Sequence, residues 1–271
     1  MALIENQDDN GIYRDWTDDL RISLLFLTRI PWTERSEISG EPELLPLAPA
    51  TRFFPVIGMI TGAIGALVLM AADWAQLPAL AAALLALAAI AIATGGLHED
   101  GLADTADGIG GGAGRLARLK IMSDSRIGAY GVLALIFSVL AKAAGLAALG
   151  AADGALALFA AAAVSRGILP VFMRHMPHAK ESGLAAAAGK PAFNPVAVSV
   201  LIAAAILLLS FGFWISVGVV LAIAIVTGAM AWWAMQRLGG QTGDVLGAIQ
   251  QISELVIILF IAAAGQSHLA D

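Results

Sequence analysis

Residues 77–131, LPALAAALLALAAIAIATGGLHEDGLADTADGIGGGAGRLARLKIMSDSRIGAYG, set an apolar run directly against a charged, glycine-broken one. From Leu77 to Leu97 no charged side chain occurs, and the run matches the ~20 residues a helix needs to cross a bilayer. The acidic stretch begins immediately afterwards. Asp100, Asp104 and Asp107 fall at i, i+4 and i+7, so on a helix they share one face. Like charges that close repel, and all three stay ionised at neutral pH only with positive charge among them. A hard divalent cation such as Mg²⁺ is the simplest candidate, because it takes one or two carboxylates and fills its shell with water and phosphate oxygens. The bland alternative is a turn at Asp100-Gly101 followed by a solvated helix face. Beside an apolar span such a face is costly without a partner.

Composition places the whole chain in the same class. Its 271 residues are 59% hydrophobic and 13% charged, whereas soluble domains are roughly 45–50% apolar and about 25% charged. The reading is all-α: a polytopic helical bundle with its active site facing the cytoplasm. The absence of cysteine excludes disulfides and thiolate metal sites. A net charge of −6 carries no nucleic-acid signature. The acidic N-terminus, with Glu5, Asp8, Asp9 and Asp15, is unlike a signal peptide.

About seven apolar segments are predicted, near 53–74, 77–97, 127–149, 155–173, 196–212, 214–236 and 245–264. The run from Val196 to Ala234 is too long for one crossing, and Ser210-Phe211-Gly212 is the expected turn within it. Leu20 to Ile30 is short, bounded by Arg21 and Arg29, and suits an interfacial helix. Residues 1–52 then form a cytoplasmic tail, and 53–271 a single transmembrane catalytic domain. Arg14, Arg21, Arg29, Arg35 and Arg52 precede the first segment. Arg115, Arg118, Lys120 and Arg126 fill the second connection, and Arg174, Lys180 and Lys190 the fourth. The first, third and fifth connections hold no Lys or Arg. Cytoplasmic loops carry the positive excess, so the N-terminus and the suggestive residues face the cytoplasm.

The glycines after Asp107, Gly111 and Gly112 among them, leave backbone N–H groups able to approach an anion, or serve as a flexible linker. Arg115 follows them as a candidate anion contact. Asp124 and Arg126 recur at the same membrane depth and suit a metal–diphosphate site. They also suit an N-cap and an interfacial anchor. His98 reads equally as a base or an interfacial residue. A second constellation, GGQTGD at 239–244 with Gln251 and Glu254, forms a stripe in which Asp244 is either a ligand or an N-cap. Glu254, about 15 Å further along a helix, needs a buried partner, and Arg166 is the candidate. Lys142 reads as a snorkelling residue toward the outer end of its span.

HEDGLADTADG, KIMSDSRIGAYG and GGQTGDVLGA, in this order, resemble the cobalamin synthase family (adenosylcobinamide-GDP ribazoletransferases). FLTRIPW, RFFPVIG and MPHAKESGLA extend the resemblance over nearly the whole chain. It implies a Mg²⁺-dependent, multi-pass inner-membrane transferase of late vitamin B12 assembly. Its substrates would be adenosylcobinamide-GDP and α-ribazole or its 5′-phosphate, with GMP released. On that resemblance Asp100, Asp104 and Asp107 are the leading metal ligands. Asp107, Asp124 and Arg126 are the catalytic candidates, and Gly111, Gly112, Arg115, Arg166 and Asp244 the binding ones. The lipid bilayer is the other expected partner, and a homo-oligomer is compatible with the sequence. Three other readings compete. A prenyl-diphosphate transferase shares the spaced-aspartate chemistry but needs a second aspartate-rich loop, for which Asp244 alone is a poor substitute. A CDP-alcohol phosphotransferase would place Ala-Arg shortly after Asp-Gly, where this chain has Leu102-Ala103-Asp104. An ion-coupled transporter would use intramembrane Glu254 and Arg166, but would place its acidic cluster near the bilayer midplane.

Overall fold

The computed structural model describes residues 16–32, 47–181 and 183–267. Over these the chain is helical, apart from one isolated parallel bridge between His178 and Gln241. The acidic residues before Trp16, together with Arg14 and Arg35, lie outside the described residues. Helices α1 (Trp16–Leu27) and α2 (Leu47–Ala50) precede a short 3-10 turn, Thr51–Phe53, and α3 (Phe54–Trp74). Next come α4 (Ala79–Thr94), α5 (Leu97–Gly111), α6 (Arg115–Ile121) and α7 (Ala129–Gly167). The chain closes with α8 (Leu169–His175), α9 (Leu184–Ala188), α10 (Phe193–Leu238) and α11 (Gly243–Ser267).

Among the described residues, four helical stretches are long and apolar enough to cross a membrane: Leu47–Trp74, Ala129–His175, Phe193–Leu238 and Gly243–Gly265. The pair α4–α5, bent by 94°, makes a fifth if counted as one. Two of these stretches are broken. Gly150 (φ 75°, ψ 179°) interrupts α7 and Gly212 (φ 71°, ψ −178°) interrupts α10, in a left-handed φ region that glycine enters without steric cost. The second break falls within the turn expected at Ser210–Gly212. Large apolar side chains such as Leu67, Ile92, Leu209, Trp214 and Ile225 point outward, as lipid-facing positions do.

Small residues let the helices approach closely, which is how apolar helices pack where lipid is as apolar as their side chains. A Cβ on Gly58 would lie 2.3 Å from the Ala162 carbonyl oxygen, so α3 and α7 touch backbone to backbone. Gly95 and Gly96, both left-handed (φ 67° and 68°), end α4 and swing the chain into α5. That bend turns α5 away from the axis of α4, and Glu99, Asp100, Asp104 and Asp107 follow directly after it.

Helix α1 is packed rather than loose. Ser23 donates to the Ala50 carbonyl at 2.6 Å, Asp19 pairs with Arg52 at 3.1 Å, and Phe26 stacks on Phe54 with centroids 6.3 Å apart.

Between α7 and α11 lies a buried ionic network. Lys142 Nζ donates to Glu254 at 3.1 Å and to Gln251 at 2.7 Å. Arg166 reaches the other Glu254 oxygen at 3.4 Å, and Gln250 donates to that oxygen at 2.8 Å. The expected Arg166–Glu254 pair is therefore present. Lys142, however, does not snorkel: it is 2% exposed. Its ammonium stays inside because α11 presents Gln251 and Glu254 to the same face of α7.

Removing one member leaves a buried charge uncompensated, which typically costs about 3–5 kcal/mol. Glu254→Gln should therefore lower the melting temperature in detergent sharply, and Lys142→Met added to it should restore part of the loss. Additive losses in the double variant would show that the two side chains do not act as a pair.

Candidate active site

Helix α5 is held against α11 by an approach that admits no side chain. A Cβ on Gly101 would lie 2.8 Å from the Asp244 carbonyl oxygen, and one on Gly247 would lie 3.2 Å from the Gly101 Cα. The crossing sets Asp244 beside the acidic face of α5. Thr242 starts α11: its hydroxyl accepts from the Val245 N–H at 3.2 Å and donates to Asp244 at 3.2 Å. Thr242 is thus the N-cap, which leaves Asp244 its other reading as a site carboxylate.

The three aspartates of α5 differ in surroundings. Asp100 is exposed, Asp104 half-buried and Asp107 buried. Asp107 accepts from the backbone N–H groups of Gly128 (2.7 Å) and Gly131 (2.9 Å), closing the N-terminus of α7. Neither glycine could carry a Cβ, which would fall 2.4 or 2.5 Å from the Asp107 carboxylate. Asp107 thereby fixes α5 to α7. Asp100 and Asp104 instead line a pocket of about 310 Å³ with Ser123, Asp124, Ser125 and Ile127.

Electrostatics mark Asp104. Burial, with the neighbouring charges of Asp100, Asp244 and Asp107, pushes its carboxyl from 3.8 up to about 7, and Lys180 opposes the rise. Lys180 donates to the Ser123 hydroxyl at 2.6 Å across the pocket wall. It is placed by a short bridge between two distant motifs: Gln241 N–H donates to Pro177 and Ala179 N–H donates to Gln241, both at 2.8 Å. Neither Lys180 nor Ser123 is singled out by sequence reasoning, because the bridge that joins them has no local signature.

Asp124 and Arg126 form an exposed bidentate pair, at 2.8 and 3.1 Å. The hydrogen bonds from the Arg126 guanidinium, then its backbone N–H, hold the Asp124 carboxyl down at about 2. Arg115 is committed elsewhere, donating to the Leu238 and Ala179 carbonyls at 2.7 Å each. Arg118 donates to the Gly108 and Ile109 carbonyls at 2.8 Å and closes the C-terminus of α5. Gly111 ends that helix and Gly112 is extended, its place packed against Arg118. Arg166, buried in the ionic network, does not line this pocket.

Among the described residues, no three His, Cys, Asp or Glu side chains converge closely enough to hold an ion unaided. The polar side chains that line the pocket with Asp100 and Asp104, those of Ser123, Asp124 and Ser125, offer only oxygen atoms, which fits Mg²⁺: it binds through one or two carboxylates and takes its other ligands from water and phosphate. With that cation absent, the folded chain holds the Asp104 proton to higher pH than an unfolded chain. Stability contributed by this group is then lost as pH rises from about 4 to about 7. Asp104→Asn should flatten this part of the melting-temperature profile measured in chelator. An unchanged slope would assign the dependence to other groups.

The profile of the cobalamin-5-phosphate synthase family matches residues 19–262. An adenosylcobinamide-GDP ribazoletransferase from Azorhizobium caulinodans is 42% identical over 92% of this chain and 97% of its own length. Relatives of the same name from Bradyrhizobium diazoefficiens and Mesorhizobium japonicum are 42% and 41% identical over 90% and 93% of the chain. Their own lengths are covered to 93% and 95%. No solved structure matches the chain. With a family profile and whole-length relatives in agreement, the chain belongs to the cobalamin-5-phosphate synthase family.

Proposed function

We propose that this chain is an adenosylcobinamide-GDP ribazoletransferase, joining adenosylcobinamide-GDP to α-ribazole or its 5′-phosphate with release of GMP. The observation that carries the reading to particular residues is the pocket shared by Asp100, Asp104, Ser123, Asp124 and Ser125. Its walls combine carboxylates, hydroxyls and the nearby Lys180 ammonium, the groups that hold a diphosphate with a hard cation.

In the reaction a ribose hydroxyl attacks the phosphorus on the cobinamide side. The new O–P bond forms as the bond to the GMP oxygen breaks in line, and the hydroxyl proton passes to a carboxylate. Such transfers depend on positioning and charge neutralisation more than on covalent chemistry by the protein. Mg²⁺ held by Asp100 and Asp104 would neutralise the diphosphate charge and orient it. Lys180, bonded to the Ser123 hydroxyl, adds a positive charge beside the pocket, and the Ser123 and Ser125 hydroxyls can donate to phosphate oxygens. Asp107 acts through the α5–α7 junction, keeping the face that carries Asp104 at the pocket. Asp244, adjacent to Asp100 across the Gly101–Gly247 crossing, is the carboxylate we assign to accept the hydroxyl proton.

The membrane arrangement follows the same reading. A straight helix of 46 residues, the length of α10, would run about 69 Å, against a hydrocarbon core of about 30 Å. Treating the breaks at Gly150 and Gly212 as turns between antiparallel spans gives about seven crossings. The basic loops then lie with the N-terminus in the cytoplasm, in the bacterial inner membrane.

Purified protein given adenosylcobinamide-GDP, α-ribazole 5′-phosphate and Mg²⁺ should release GMP, and no release would overturn the assignment. Asp100→Asn and Asp104→Asn should each lower the rate at least ~100-fold while the protein stays folded, since outer-sphere changes alone cost 10–100-fold. Wild-type rates at limiting Mg²⁺ in both variants would remove these residues from the metal site.

The chain has no native cysteine, which makes single-cysteine labelling clean. A cysteine at Gly114 should react with an impermeant maleimide only from the cytoplasmic side, and one at Asp153 only from outside. The reverse pattern would invert the topology.

A further inference from the structure

Asp100 also lines a second pocket, distinct from the one assigned to the diphosphate. This cavity of about 110 Å³ has apolar walls from Phe26, Leu27, Phe54, Leu169 and Met173. Its polar side chains are those of His98, Asp100 and Asp244. The His98 ring is 3% exposed, and its Nδ1 has no hydrogen-bond partner in the protein. A buried ring nitrogen left unpaired is costly, so a ligand that brings one complementary polar atom into an otherwise apolar space gains by entering.

We infer that this pocket binds the benzimidazole base of the acceptor nucleoside, with His98 hydrogen-bonded to the unsubstituted ring nitrogen and the ribose directed at Asp100 and Asp244. The inference rests on the ribazoletransferase reading and assigns one substrate to one cavity. A cavity of about 150 Å³ accepts benzene, so this smaller, partly open one takes one end of a fused bicycle and leaves the sugar at its mouth. Stacked Phe26 and Phe54, 6.3 Å apart, give an aromatic wall.

The chemistry discriminates against the other base in the reaction. Guanine carries several donors and acceptors on its edges, and most would be desolvated without partners between Phe, Leu and Met side chains. Benzimidazole carries a single acceptor. The carboxylates of Asp100 and Asp244 can accept from ribose hydroxyls. Asp100 lines both pockets, so a nucleoside seated here presents its hydroxyls beside the diphosphate pocket.

The test uses wild-type protein in detergent and two probes of nearly equal shape. 1-Methylbenzimidazole keeps the ring-nitrogen acceptor, and 1-methylindole has a C–H in its place. The benzimidazole should bind at least ~10-fold more tightly, should compete with α-ribazole in the GMP-release assay, and should not be displaced by GMP. A site built to hydrogen-bond a group rejects the analogue lacking it. His98→Leu should erase the discrimination between probes and raise the KM for α-ribazole, leaving the KM for adenosylcobinamide-GDP unchanged. Equal binding of both probes by the wild type, displacement by GMP, or a KM effect confined to adenosylcobinamide-GDP would each overturn the inference. An enzyme that releases no GMP at all would instead overturn the transferase reading, a separate outcome because probe binding is measured without turnover.

Discussion

The site depends on one steric condition: α5 must cross α11 with nothing between their backbones. At Gly101 the place of a Cβ is already taken by the Asp244 carbonyl, and at Gly247 by the backbone of α5. Because of that contact, carboxylates from helices far apart in sequence come to bear on each other. Their mutual field, added to burial, raises Asp104 into the physiological range. Crowding of this kind is unfavourable on its own, and the fold tolerates it only because other contacts hold the crossing closed.

Those contacts lie one layer deeper. Gln251 donates to Glu99 at 3.1 Å and to Gln250 at 2.9 Å, so the first turn of α5 is tied into the same network that joins Lys142, Arg166 and Glu254. The network holds two cations, Lys142 and Arg166, and two carboxylates, Glu99 and Glu254. Formal neutrality is what allows it to remain in an apolar layer. Helix α11 thus carries both elements: Asp244 at its start faces the chemistry, and Glu254 further along anchors the helix that bears the other carboxylates. The transporter reading, which would have used Glu254 and Arg166 for transport, gives way to a structural one on this geometry and on the family match.

The apolar segments and the interruption at Gly212 were legible because they follow from composition and backbone sterics alone. So was the Arg166–Glu254 pairing, since charge in an apolar layer demands a partner. Spacing was a weaker guide within the acidic helix. Asp100, Asp104 and Asp107 look equivalent at i, i+4 and i+7, yet Asp107 meets the N-terminus of α7, and only the tertiary arrangement decides that. Depth along a span likewise did not say which face Lys142 turns to α11. The contact between Lys180 and Ser123 was invisible because it is set by the Pro177–Gln241 bridge. The N-terminal amphipathic segment reads from sequence as a helix lying at the interface. In the fold it supplies Phe26 and Leu27 to a pocket wall.

That contribution from α1 bears on why two chemically unlike substrates do not compete for one space. Around Asp100 the protein divides into an open, hydroxyl-lined pocket near Lys180 and a small one walled by Phe, Leu and Met. Anion and aromatic base are sorted by desolvation. Phosphate oxygens brought among Phe26, Phe54 and Met173 would lose their water without compensation. A benzimidazole left in the open pocket would gain little from burial. The sorting needs both walls. Without α1 the apolar pocket loses Phe26 and Leu27, and without the bridge at Gln241 the polar pocket loses its nearby ammonium. The elements that look peripheral to the carboxylates therefore set which molecule reaches them from which side.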